Sequence, residues 1–283
     1  MQRMSFGRTL ATARPDPGGL LVFALGQAGY ALRGERALVL IDPWLSTALE
    51  EEEGITRATP PALRPHEVEV ADVICITHEH PDHLDPRTIA EIAERVPGAR
   101  FVAPVPVLGL LQAAGLSRKR IVAARAGAAV EAAGARVTGV RTAHELHPDA
   151  FGGYRFWLDE QGEHRGLGYL VELEGHRVFH AGDTIWWPGL QDELRGLAPE
   201  LAILPINGRD AMREAQGLWG NLSAEEAAAL AAAAGVPAVV PCHFDGVAGN
   251  LGDPSRFVIA AHECEPAIRA HVLHPGDELH LSG

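Results

Sequence analysis

Lysine is nearly absent from this 283-residue chain: Lys119 is the single one among 24 basic residues. With abundant alanine, that is a codon-usage signature and carries no functional information. Cysteine is scarce too. Cys75, Cys242 and Cys264 are odd in number and lack Cys-x-x-Cys spacing, which excludes a disulfide framework and points to a reducing compartment. No run of about 18 apolar residues is free of charge, so no membrane span is expected. The opening MQRMSFGRTLATARPDPGG has no apolar stretch before its Pro and Gly residues and does not read as a signal peptide. These absences describe a soluble cytoplasmic protein. Positive charge is short overall, with a net −13 when histidine is neutral. Such a surface repels polyphosphate backbones, which excludes general nucleic-acid binding but leaves room for a local basic pocket.

What is present is an ordinary globular mixture, 47% apolar and 22% charged, in a chain long enough to bury a large core without staples. Intrinsic disorder and collagen-like repeats are excluded. The expected organisation is an N-terminal segment, 1–18, and one domain, 19–283. Apolar runs predict strands at 20–25, 30–32, 37–41 and 70–77, with a polar, Pro-rich surface loop over 46–66. Asp85-Pro86 is an N-cap followed by Pro and opens a helix that reaches Pro97. A strand at 101–103, a helix at 107–114 and a strand at 121–124 follow. The middle is β-rich: 129–132, 136–142, 154–158, 167–172 and 177–180, the last two joined by Glu174-Gly175. Next come a strand at 201–205 and a helix opened by the capping box Ser223-Ala-Glu-Glu226. A strand at 236–241, a helix at 254–262 and a final strand at 271–273 close the chain. Strands and helices without a clean βαβ period predict stacked sheets with helices outside.

Histidine is plentiful, at 14 residues, and one segment concentrates it. Thr77-His78-Glu79-His80-Pro81-Asp82-His83 follows directly on a buried strand. His78 and His80, two apart at a strand end, project to one side and can grip one ion. Asp82 and His83 lie where the chain turns and can face a second. Imidazole with carboxylate suits Zn, Mn or Fe. A surface loop that happens to be His-rich is the alternative; four ligand-type residues at a strand-to-helix junction count against it. His144, Asp183 and His243 each follow an apolar strand. Each alone is weak, but their shared position strengthens all three. His147 competes with His144 within Arg141-Thr-Ala-His-Glu-Leu-His147, and His144 is nearer the strand end.

The ordered set of HEHPDH, a later His, a Gly-Asp after a strand and a final strand-end His resembles the metallo-β-lactamase superfamily. The resemblance spans roughly residues 19–280. It implies an α/β fold, an αββα sandwich of two mixed β-sheets flanked by helices, with metals at one edge. It also implies a two-metal site. His78, His80 and His144 would hold the first ion, Asp82, His83 and His243 the second, and Asp183 would bridge them. Asp82 and Asp183 would be catalytic through the ions they hold. Asp42, in Leu-Ile-Asp-Pro, would steady the ligand loop, and His180 would donate to a ligand or be purely structural.

The stretch Leu204-Pro-Ile-Asn-Gly-Arg-Asp210, with Arg213 and Gly220-Asn221, resembles the UlaG-like branch, that of L-ascorbate-6-phosphate lactonase. Phe179-His-Ala-Gly-Asp-Thr184, Pro241-Cys-His-Phe-Asp245 and Gly249-Asn250 fit the same branch. It implies a lactonase acting through a metal-bridging hydroxide on a small phosphorylated or acidic sugar derivative. Asn207, Arg209, Arg213 and Asn221 would bind that substrate, since a guanidinium fork suits phosphate or carboxylate. The alternative is that both arginines pair with Asp210 and Glu214 on a solvated surface. Trp186 and Trp187 either wall the pocket or pack in the core. Rival readings are a phosphodiesterase (nuclease or phospholipase-D-like) on the same metals and a metal-binding protein without turnover. The expected partner is a small anionic molecule, with no nucleic acid or membrane; a homo-oligomer is left open.

Overall fold

The computed structural model describes residues 5–144 and 154–283. Two seven-stranded sheets face each other. The first is built from β1 (Leu20–Gly26), β2 (Gly29–Arg33), β3 (Leu38–Ile41), β4 (Val73–Cys75), β5 (Arg100–Pro104) and β6 (Ile121–Ala124), with β14 (Glu278–Leu281) returning beside β1. The second contains β7 (Ala129–Ala132), β8 (Ala135–Arg141), β9 (Leu167–Leu173), β10 (His176–His180), β11 (Leu201–Pro205), β12 (Ala238–Cys242) and β13 (Arg269–Ala270). The helices are α1 (Phe6–Thr12), α2 (Ala48–Glu53), α3 (Pro86–Arg95), α4 (Leu108–Ala113), α5 (Leu190–Leu197), α6 (Ala211–Ala215), α7 (Ala224–Ala234) and α8 (Pro254–Glu263).

The inner strands β1 to β4 and β9 to β12 are largely buried on both faces, as sheets covered on both sides must be. Val22, Leu32, Val39 and Val73 of the first sheet meet Val137, Val171, Val178 and Val240 of the second in the central layer. Alternate residues point outward. Phe23 packs on Phe6 of α1, Leu40, Ile74 and Phe101 cluster with apolar residues of α3 and α4, and Leu170, Phe179, Ala202 and Val239 cluster with those of α5, α7 and α8. This is the expected αββα sandwich.

Strands β3, β4 and β5 run parallel, as do β10, β11 and β12. Their carboxyl ends, together with that of β8, deliver the site loops to one edge, where ligands of open α/β sheets bind. The two sheets are fastened there. The buried Tyr169 hydroxyl of β9 donates to the Ile76 carbonyl at 2.8 Å, and Leu167 N–H donates to the Thr77 carbonyl at 2.9 Å.

Several expected elements differ. The 46–66 stretch carries α2 and a 3-10 turn at Pro65–Glu67. Arg57 orders it by lying 3.5 Å from the Trp44 ring centre while donating to the Trp44 and Ser46 carbonyls. No strand forms at 154–158 beyond a single bridge between Leu158 and His164. The closing strand is 278–281, whose alternating exposed and half-buried residues gave little apolar signal.

Tyr169→Phe should lower the unfolding free energy by about 1–2 kcal/mol, because it leaves a buried carbonyl without its donor. Urea titration of both proteins checks this; an unchanged midpoint would show that the fastening contributes nothing.

Candidate metal centre

The site is built on backbone turns that side chains alone do not explain. Asp42 ends β3 with φ 45°, and its carboxylate accepts from Thr77 N–H at 2.8 Å and from the Thr77 hydroxyl at 2.6 Å. Its Oδ2 also meets His83 Nδ1 at 2.8 Å. His83 therefore donates through Nδ1 and turns Nε2 toward Asp82 and Asp183. Because the Thr77 hydroxyl proton goes to Asp42, its oxygen accepts from His78 Nδ1 at 3.0 Å, which frees His78 Nε2. Asp42 thus fixes two imidazole tautomers at once, the usual task of a carboxylate behind metal-binding histidines. At the loop's far end Asp85 caps α3 through the N–H groups of Arg87 and Thr88, and accepts from Ser46 as well.

The distant ligands arrive on turns tied to one another. Gly182, at φ 59°, lies so close to Thr77 that a Cβ there would sit 2.9 Å from the threonine, so only glycine admits Asp183 this deep. Ala143 N–H donates to the Thr184 hydroxyl at 3.0 Å and Ile185 N–H to the Ala143 carbonyl at 2.9 Å. The turns of His144 and Asp183 are thereby joined. His243 follows β12 at φ 57°.

All seven expected ligands converge in two groups, His78, His80, His144 and Asp183, and Asp82, His83 and His243. In the first, His80 Nδ1 lies 3.0 Å from His78 Nε2 and 3.3 Å from His144 Nε2, which is 3.5 Å from Asp183 Oδ2. In the second, His243 Nε2 is 3.2 Å from Asp82 Oδ2 and His83 Nε2 is 3.8 Å from the same oxygen. A tetrahedral ion with bonds of about 2.0–2.2 Å sets its ligand atoms about 3.3–3.6 Å apart. Asp183 joins the groups: Oδ1 is 3.3 Å from His83 Nε2 and Oδ2 is 3.3 Å from His243 Nε2. His83 Nε2 and Asp183 Oδ1 are buried and have no hydrogen-bond partner. Orphaned buried polar atoms are costly, and a cation would satisfy both, so the donor set fits a metal. His147 lies outside the described residues.

Charge divides the groups. Burial pulls His144 down to about 3 and lowers His78 and His80 as well, so these imidazoles are neutral donors. Burial also opposes charge on His83 and His243, but Asp183, with Asp82, outweighs it. His83 is held well above its ordinary value and His243 is pushed up to about 9. In turn those two histidines hold Asp82 and Asp183 below the usual carboxylate range despite burial.

A residue without a sequence signal completes the second group. Gln27, in the β1–β2 turn at φ 55°, donates from Nε2 to Asp82 Oδ2 at 2.8 Å, with His243 Nε2 3.1 Å away. Its Oε1 accepts from Gly246 N–H at 3.0 Å, and its carbonyl from His243 N–H at 3.0 Å. His180 does not donate to a ligand. Its Nε2 donates to the Ala28 carbonyl at 2.8 Å and its Nδ1 accepts from Gly182 N–H at 3.0 Å, so it supports the Asp183 turn through backbone.

Above the ligands is a cavity of about 220 Å³, bordered by His80, Asp82, Leu49, Ile55, Trp219, Val247 and Asn250 among others. Trp219 stands 4.9 Å from His80 and 5.1 Å from His144, with Trp157 4.8 Å behind it. Arg165 braces Trp157 through its ion pair with Glu79. The aromatic wall is therefore Trp157 and Trp219. Trp187 is buried in the outer layer with Phe156 and Leu190, and Trp186 is partly buried there.

The expected substrate-binding residues are placed otherwise. Arg209 makes a two-point pair with Glu226, at 2.6 and 2.7 Å, and Arg213 pairs with Asp210 at 2.6 Å. Both border a different cavity, beside Ser223 and Arg256. Asn207 and Asn221 are buried and bonded to each other at 3.0 Å. The arginines are thus engaged by carboxylates, as their surface-pairing alternative required, although Glu226 replaces Glu214 as one partner.

With this geometry in place, the comparisons are direct. The beta-lactamase superfamily domain matches residues 38–244, and the chain belongs to that superfamily. Within it the chain belongs to the UPF0173 metal-dependent hydrolase family. A member from Rubrobacter xylanophilus is 32% identical over 93% of this chain and 97% of its own length. The structure of Igni18, a metallo hydrolase from Ignicoccus hospitalis, superposes with TM-score 0.67 at 21% identity over 94% of this chain and 99% of that one. An isothiocyanate hydrolase from Delia radicum gut bacteria gives 0.69 at 18% identity, covering 93% and 100%. Those two likenesses concern the fold.

Two outcomes test the centre. Asp42→Ala and Gln27→Leu should each weaken zinc binding by about 10- to 100-fold, read by competition against a chromophoric chelator; unaltered affinity would remove their supporting roles. At pH 7 zinc must also displace the proton that His243 carries, and any held on His83, so binding releases protons. Affinity should therefore rise with pH through about 9, the value for His243. Calorimetry in buffers of different ionisation enthalpy measures the count.

Proposed function

We propose that this chain is a dinuclear metal-dependent hydrolase acting on the carbonyl carbon of a small lactone or ester. The position of Asp183 carries this reading, since its two oxygens face imidazoles of both groups within 3.5 Å. His78, His80 and His144 would hold one ion, Asp82, His83 and His243 the other, with Asp183 shared. Zn, Mn or Fe would supply Lewis acidity and activated water at neutral pH.

The chain's own residues set the conditions. Asp42, Thr77 and Gln27 orient the donors before any ligand arrives. Trp219, Leu49, Ile55 and Val247 give the cavity beside the ligands an apolar lining, and a less polar surround strengthens electrostatic contacts there.

The likeness to the UlaG-like branch supports a lactone. The cavity lining favours a neutral body over the phosphorylated or acidic one, because among the described residues no Arg or Lys borders it and Glu53 does. The same lining counts against a phosphodiester, which would bring a further negative charge. Turnover is favoured over simple metal storage by the open cavity beside the ligands and by the family membership.

Elemental analysis of purified protein, then assays with lactones, aryl esters and bis(p-nitrophenyl) phosphate, tests this. The expected result is two metal equivalents per chain and faster hydrolysis of the carbonyl substrates. His80→Ala should lose one equivalent and most activity. One equivalent in the wild type, or a phosphodiester preference, would overturn the reading.

A further inference from the structure

The residues that seemed to form an anion site do something else: they aim one amide. Asn250 borders the cavity over the metal ligands and is 9% exposed. Its Oδ1 accepts from Asn207 Nδ2 at 3.0 Å and from Arg213 Nη1 at 3.0 Å. Two donors on one oxygen fix the amide against flipping, because the reverse orientation would set NH₂ against NH groups. Asn207 is itself held by Asn221, whose Nδ2 donates to Asn207 Oδ1 at 3.0 Å. Arg213 is held by Asp210 and donates to the Asn207 carbonyl at 2.7 Å. The chain Asn221–Asn207–Asn250, braced by Arg213, thus has one direction of donation. It ends on Asn250 Nδ2, which has no partner among the described residues and is not among the sealed buried atoms.

From this we propose that Asn250 Nδ2 is a substrate-binding donor, which takes a neutral acceptor oxygen, the carbonyl or ring oxygen of the substrate, in the cavity that Trp219 also borders. The inference rests on the hydrolase reading above. Arg213, Asn207 and Asn221 are positioning residues that act through Asn250. A preset donor of this kind loses little freedom on binding, and it penalises substrates without an acceptor at that point.

The test uses cobalt-loaded protein and two probes, acetohydroxamate binding followed by the visible spectrum and hydrolysis of p-nitrophenyl acetate. Asn250→Asp keeps an oxygen for Arg213 and Asn207 but replaces the inward NH₂ with an acceptor, so the fold is retained. Asn250→Ala removes the group altogether. Both should weaken acetohydroxamate by about tenfold, with metal content and thermal midpoint unchanged. Combining Arg213→Gln with Asn250→Ala should weaken it no further than Asn250→Ala alone. If both Asn250 variants bind within twofold of wild type, or if Asn250→Asp binds as well as wild type while Asn250→Ala does not, the donor role is overturned. Weakened acetohydroxamate binding in a protein that cleaves no ester or lactone would uphold the donor and defeat the carbonyl-hydrolase reading instead.

Discussion

Three carboxylates, Asp42, Asp82 and Asp183, are packed among five imidazoles at the edge of an otherwise apolar sandwich. Charge in so little water must be compensated or neutralised. Asp42 is compensated wholly by protein, through Thr77 and His83. Asp183 is compensated only in part: His83 and His243 face it, yet one of its buried oxygens has no hydrogen-bond partner. That difference separates a carboxylate that orders the site from one that awaits a cation.

The scaffold accepts backbone strain to build this cluster. Gln27, Asp42 and His243 are non-glycine residues in the left-handed region, and all three touch the second group of ligands. Each such conformation costs about 1 kcal/mol or more and persists only where its surroundings over-determine it. Here they do. Gln27 binds through its amide oxygen, amide nitrogen and backbone carbonyl, and each contact reaches a residue more than 50 positions away. Local instability is offset by contacts that exist only once both sheets have closed.

Legibility in the sequence followed the range of the contacts. The HEHPDH segment declares itself because its ligands lie within six residues of one another and follow an apolar strand. His144, Asp183 and His243 were readable as strand ends, and the strand pattern also pointed to stacked sheets with helices outside. Gln27 was invisible: its partner His243 is 216 residues away, and an isolated glutamine in a turn has no pattern. Trp157 and Trp219 carried no periodic signal, whereas adjacent Trp186 and Trp187 drew attention and belong to the outer layer. For Arg209 the pairing alternative named Glu214, and Glu226 went unnoticed because it already had a sequence explanation as the fourth residue of a capping box. In the structure the same carboxylate serves both the Ser223 backbone and the guanidinium.

The two sides of the cavity therefore answer to different constraints. Its floor is set by charge and tautomer, and any divalent ion with a taste for imidazole and carboxylate fits that logic. Its walls carry no cation among the described residues and present indole, aliphatic groups, the Glu53 carboxylate and one oriented amide. Specificity built on such walls comes from shape, from the repulsion of anions by Glu53 and from the match to the amide. A mismatched acceptor leaves a desolvated donor unpaired, which is a larger penalty than a methylene too many. Arg209 and Arg213, which a charge-based reading assigns to substrate, act one step back: the first ties the segment before α6 to the start of α7, and the second sets the direction of the amide. Substituting Arg213 should accordingly disturb recognition of neutral and anionic molecules alike, because its charge is spent on Asp210 and only its geometry reaches the cavity.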